Sequence, residues 1–97
     1  MREWTFLTNH ALVLSFIAKQ PRITGIELAT AAGITERATR KIIADLEAEG
    51  YIAKKKEGRR IKYRIDPDLP MRHEIYQDTA IGDFLKALGW RSKQAQR

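Results

Sequence analysis

Arginine and lysine side chains clustered with few acids among them neutralise and hydrogen-bond an anion. In this chain of 97 residues the cluster is Lys54-Lys55-Lys56-Glu57-Gly58-Arg59-Arg60-Ile61-Lys62-Tyr63-Arg64. Seven of the 18 Lys and Arg, and one of the 12 Asp and Glu, fall in this segment. It therefore carries the whole formal net charge of +6, and the rest is balanced at eleven of each sign. A cationic segment on an otherwise neutral body predicts a polyanionic partner. A second set, Thr35, Glu36, Arg37, Arg40 and Lys41, recurs at helical spacing and would share one face of a helix. Arginine there can donate two bonds to guanine O6 and N7, and glutamate can accept from cytosine N4.

Other chemistries find little support. No nucleophile–base pair, phosphate-cradling glycine loop or paired carboxylates can be read, so no catalytic residue and no cofactor are expected and the chain is not read as an enzyme. Without cysteine there is no disulfide and no cysteine-based metal site. His10 and His73 have no second ligand at metal-binding spacing, so no metal is expected. The longest mainly apolar run, Ala11 to Ala18, is far short of the roughly 20 residues that cross a bilayer. The first ten residues do not read as a signal peptide. The expectation is a cytoplasmic protein with no membrane partner.

The elements that must hold these residues are marked by caps and periodicity. Thr8 caps a first helix with Leu12, Val13, Phe16 and Ile17 inward, ending near Gln20 before Pro21. Thr24 with Glu27 is a capping-box pair for a second helix, with Leu28, Ala29 and Ala32 inward and Gly33 closing it. Thr35 caps a third helix running to about Glu49, with Thr39, Ile42, Ile43 and Leu46 inward and Gly50 at its end. The period then falls to two. Tyr51 to Ala53 open a strand, Glu57-Gly58 turns, and Ile61, Tyr63 and Ile65 alternate with Arg60, Lys62 and Arg64. A last helix is predicted over about 70–89, with Gly82 as a point of kinking or division.

Between Leu28 and Leu46 the small Ala29, the turn Gly33 and the apolar plug Ile34 have the spacing of a helix-turn-helix. The fold class is therefore mainly α with a small β-hairpin (α+β). The expected architecture is a single winged helix-turn-helix domain with a three-helix core plus wing (about 8–66), a C-terminal dimerisation helix and a disordered tail over 90–97.

Ile26-Glu27-Leu28-Ala29, Gly33-Ile34-Thr35-Glu36-Arg37-Ala38 and Asp45-Leu46 to Gly50-Tyr51-Ile52 resemble the winged helix-turn-helix transcriptional regulators of the MarR/ArsR superfamily. Trp4 to Ala11, Gly58-Arg59-Arg60, Tyr63, Pro67, Pro70 and Arg72-His73 resemble a compact prokaryotic subset. The resemblance implies a homodimer on double-stranded DNA, the third helix in the major groove and the wing on the backbone or minor groove. Two departures stand out. Thr39 occupies a buried position where those regulators carry valine or isoleucine, so its hydroxyl needs a carbonyl of the preceding turn. The cysteine-based metal site of metal-sensing relatives is absent.

The DNA-binding set predicted is Thr24, Thr35, Glu36, Arg37, Arg40, Lys41, Lys56, Arg59, Arg60 and Lys62, with Arg59 or Arg60 entering a minor groove. On the same residues the competing reading is i,i+4 pairing, Glu36 with Arg40 and Lys41 with Asp45. Trp4, Phe6, Ile81, Phe84, Leu85, Leu88 and Trp90 lie outside the winged core, and an unmatched apolar stripe predicts the dimer contact there. A small-molecule effector cannot be named, because no pocket can be read from the sequence. The alternative function is a winged-helix module that joins a larger complex through protein contacts.

Overall fold

The computed structural model describes residues 5–91. Three helices come first: α1 (Asn9–Lys19), α2 (Gly25–Ala32) and α3 (Glu36–Ala48). Each begins where a threonine satisfies an amide that the helix itself leaves unpaired. Thr8 accepts from the Ala11 N–H, Thr24 from Glu27 and Thr35 from Ala38. At Thr24 the box closes, with Glu27 Oε1 taking the Thr24 N–H at 2.9 Å. Gly33 leaves α2 at φ 73° and ψ 34°, the left-handed geometry that turns the chain into α3. Gly50 does the same after α3 at φ 87°.

The strands β1 (Ile52–Glu57) and β2 (Arg60–Ile65) form an antiparallel hairpin, with Ile52 opposite Ile65 and Glu57 opposite Arg60. Two residues join them, and Gly58, the first, has φ 62°. Glycine at that position suits the tight hairpin turns whose twist matches the strands. Beyond β2 the chain folds back on itself. Pro70 bridges Ala80, Ile81 N–H donates to the Leu69 carbonyl at 2.7 Å, and Met71 N–H to that of Thr79 at 3.0 Å.

The core is assembled from Val13, Leu14 and Ile17 of α1, Leu28 of α2, Ile42, Ile43 and Leu46 of α3, and Tyr51, Ile52 and Tyr63 of the hairpin. Thr39 is fully buried and its hydroxyl donates to the Thr35 carbonyl at 2.9 Å, as its position requires.

Three expectations are corrected here. The C-terminal helix over 70–89 is instead a single 3₁₀ turn (Glu74–Tyr76) followed by the short helix α4 (Ile81–Ala87). Gly82 explains part of this: its N–H donates to the Pro67 carbonyl, and a Cβ there would lie 2.7 Å from the Pro67 side chain. Glycine serves a close crossing at that point. Second, Ile61 shares the face of the buried Tyr63 yet is 42% exposed, because it lies two residues nearer the hairpin tip. Third, Trp90, expected to begin the tail, packs on the core and its N–H donates to the Leu85 carbonyl. The remainder of the expected tail, residues 92–97, lies outside the described residues.

Candidate nucleic-acid interface

Helix α3 is divided cleanly by its sequence. Thr39, Ile42, Ile43 and Leu46 are buried, while Thr35, Glu36, Arg37, Arg40 and Lys41 are exposed. The exposed set lies in the first two turns, the part of a recognition helix that meets base edges. Lys41 is already engaged: its ammonium donates to Asp45 Oδ1 at 3.0 Å, as the i,i+4 reading required. Asp45 also meets His10 of α1, with Nε2 and Oδ2 2.8 Å apart. The His10 bond, then Lys41, hold the Asp45 carboxyl below the ordinary carboxylate range.

The hairpin register fixes which cations share a face. Successive side chains point to opposite faces, so Lys55, Glu57, Arg60, Lys62 and Arg64 fall on one side and Lys54, Lys56, Ile61 and Tyr63 on the other. Lys55 stands directly opposite Lys62, a pairing of like charges that costs stability unless an anion offsets it. Lys56, Arg59 and Arg60 are exposed, whereas Lys62 is half-buried.

The wing lies close to the start of α2. Tyr63 N–H donates to the Pro21 carbonyl at 2.8 Å, and Arg22 Nε donates to Glu57 Oε1 at 2.9 Å. The bonds from Thr24 keep the Glu27 carboxyl below its usual range, and the charge of Arg60 adds to the effect. Two amides at the α2 N-terminus are thus already engaged. The Glu27 carboxylate holds the Thr24 amide, and the Thr24 hydroxyl holds that of Glu27.

The residues assigned to a dimer contact divide. Ile81 and Leu85 are buried in the chain's own core, Leu85 completely, and Phe84 and Trp90 pack against that core. For Ile81 and Leu85 the match lies within the chain, where Leu69 and Met71 pack against the same core. Leu88 is half-buried and Phe6 is 92% exposed. Trp4 lies outside the described residues.

Sequence reasoning missed a cavity of about 410 Å³ between α1, the C-terminal half of α3 and residues 71–84, lined by Ala11, Leu14, Leu46, Met71, Ile81 and Phe84 among others. These apolar residues look like ordinary core positions in the sequence, and the hollow arises where remote segments meet. Sequence reasoning also passed over Arg22 and Glu57. Glu57 had a signal, as the one acid inside the cationic run; Arg22 had none. Among the described residues no cluster of metal-ligating side chains occurs, and no helix is long and apolar enough to cross a membrane.

Residues 8–53 match the family model of winged helix-turn-helix DNA-binding proteins. The chain has a winged helix-turn-helix fold, seen also in its structural neighbours. It is similar to MepR, a transcription regulator of the Staphylococcus aureus multidrug efflux pump MepA. The identity is 18% and the TM-score 0.53, with 61% of this chain and 46% of that chain covered. The zinc-dependent MarR-family regulator AdcR, in its Zn(II)-bound state, shares 26% identity at TM-score 0.50 over 68% and 47% of the two chains. IscR of T. potens has the same fold, with 14% identity and TM-score 0.57 over 98% and 93%. The chain spans about half the length of the first two. No curated protein sequence matches it significantly.

Proposed function

We propose that the chain is a sequence-specific regulator of transcription that binds double-stranded DNA as a homodimer in the cytoplasm. The first turns of α3 enter the major groove, and the basic wing follows the backbone into the minor groove. One observation carries this reading: Glu36, Arg37 and Arg40 are exposed on a helix whose opposite face is fully committed to the core. Arg37 and Arg40 read base edges, and Thr35 adds a phosphate contact beyond its capping bond. Lys56, Arg59, Arg60 and Lys62 supply charge, and the Lys55–Lys62 repulsion is relieved by phosphate. Thr24 can contact a phosphate through its remaining polar capacity, against the opposition of the neighbouring Glu27 carboxylate. In a two-fold dimer the half-sites lie about 34 Å apart. Because Ile81 and Leu85 are spent inside the chain, the contact between copies draws on other apolar surface, including Phe6.

Selection from randomised duplexes, followed by fluorescence anisotropy at two salt concentrations, tests this reading. A selected site should bind on the order of 10³-fold or more tightly than its scramble, with a log–log salt slope near −0.9 per phosphate neutralised. Equal weak binding to every duplex would overturn it.

A protein-interaction module is the second reading, and the apolar cavity with exposed Ile75 (71%) and Tyr76 (48%) nearby favours it. Stoichiometric capture of a protein partner without DNA, unaffected by Arg37→Ala plus Arg40→Ala, would establish it instead.

A further inference from the structure

An acid placed inside a cationic hairpin opposes the binding of any polyanion, so Glu57 needs a reason to be there. It sits on the last residue of β1, beside the two-residue turn, and faces Arg60 across the strands. Its Oε1 accepts from Arg22 Nε at 2.9 Å, across 35 residues of sequence. One residue before Arg22, the Pro21 carbonyl takes the Tyr63 N–H at 2.8 Å. The same short loop thus grips the wing twice, once in the middle of β2 and once at the tip. Tyr63 lies three positions along the strand from Arg60, about 10 Å. With the first grip alone, the tip would pivot about Tyr63. The second grip restrains that motion. Since this loop leads directly into α2, and α2 packs on α3, the tip is fixed relative to the helix that carries Arg37 and Arg40.

We propose that Glu57 is a positioning residue: its bond to Arg22 sets the wing tip against the α1–α2 loop, and so fixes the distance between the bases read by α3 and the groove entered by Arg59 and Arg60. This rests on the DNA-binding reading above. Pre-setting the tip removes an ordering cost that would otherwise fall on binding. It also makes the protein select duplexes whose groove geometry fits a fixed spacing, a form of recognition by shape. Both partners are part-exposed, 52% for Arg22 and 35% for Glu57 by side chain, so the tie is a modest one.

Coulomb attraction and positioning predict different signs, which makes the test decisive. Glu57→Gln removes an acid and, by charge alone, tightens every duplex. Arg22→Gln removes a base and, by charge alone, weakens every duplex. Positioning predicts that both lower the ratio of selected-site to scrambled affinity by about two- to five-fold, the range an exposed ion pair supports. The charge-neutral double variant should lose no more of that ratio than either single change. Additive shifts of opposite sign, equal on both duplexes, would overturn the proposal.

A second measurement needs no DNA. Backbone order parameters of Gly58, Arg59 and Arg60 in the free protein should be lower in Glu57→Gln and in Arg22→Gln than in the wild type. Unchanged order parameters sink the latch itself. A wild-type chain that prefers no duplex sinks the DNA reading and leaves the latch measurement standing.

Discussion

His10 Nε2 and Asp45 Oδ2 lie 2.8 Å apart, joining the start of α1 to the far half of α3. Asp45 receives Lys41 on its other oxygen, so one carboxylate organises two side chains on two helices. Its folded pKa is depressed, by His10 first and Lys41 second.

A depressed carboxylate stabilises the fold above its unfolded pKa, about 3.9 for aspartate, and that contribution is lost as pH falls through the folded value. Glu27 follows the same sign through its bonds to Thr24. Asp45→Asn should therefore melt below wild type at pH 7, and the two melting temperatures should converge as pH falls through the folded pKa. A gap that persists at low pH would mean that Asp45 acts through packing and not through charge.

Thr39→Val is expected to be neutral or slightly stabilising, within about 1 kcal/mol in urea denaturation. The lost hydroxyl leaves no orphan, because the Thr35 carbonyl keeps the Thr39 N–H at 3.0 Å. Thr39→Ala opens space in a fully buried site and should be the less stable of the two. A loss above about 2 kcal/mol for valine would contradict this account.

Gly82→Ala tests the fold-back of residues 67–71. In an ordinary helix the change gains up to about 1 kcal/mol. Here the new Cβ would stand 2.8 Å from the Pro67 carbonyl oxygen, so a loss of about 1–3 kcal/mol is expected by chemical denaturation.

Leu85→Ala should cost about 2–5 kcal/mol, because a fully buried leucine leaves a cavity. The loss should be the same across a hundredfold range of protein concentration. A loss that depends on concentration would return Leu85 to a contact between copies.

Arg37→Ala and Arg40→Ala should each weaken the selected site, by about 1–3 kcal/mol for whichever makes a bidentate base contact, with little effect on scrambled DNA. Lys56→Ala should weaken both duplexes alike and reduce the salt slope by about 0.9. Anisotropy titrations on the two duplexes separate the patterns.

What the sequence made legible is the part of the fold that depends on neighbours within a few residues. Thr8, Thr24 and Thr35 cap as their spacing indicates, and Gly33 adopts the left-handed turn. Thr39 finds the carbonyl that its burial demands. The apolar spacing of Ile81, Phe84 and Leu85 correctly marked a helix, yet periodicity gives a face and not its partner. Ile81 and Leu85 turn toward this chain's own core. Residues 71–80 were misread as helix because they form short turns, with Tyr76 N–H on the His73 carbonyl and Thr79 N–H on that of Tyr76, closed by the Met71 N–H on Thr79. Arg22–Glu57 and His10–Asp45 each span 35 residues, and no local pattern announces such ties. The placement of the exposed arginines follows from periodicity; the setting of the hairpin beside them follows from these long-range bonds.

The two-residue turn at Gly58 has one more consequence. With no slack at its end, the hairpin's reach is the length of its six-residue strands, about 20 Å. One residue added to each strand would swap the cationic and apolar faces, whereas two would restore them and carry Arg59 about 7 Å outward. The arm can therefore be lengthened only in discrete steps, with no usable length between them.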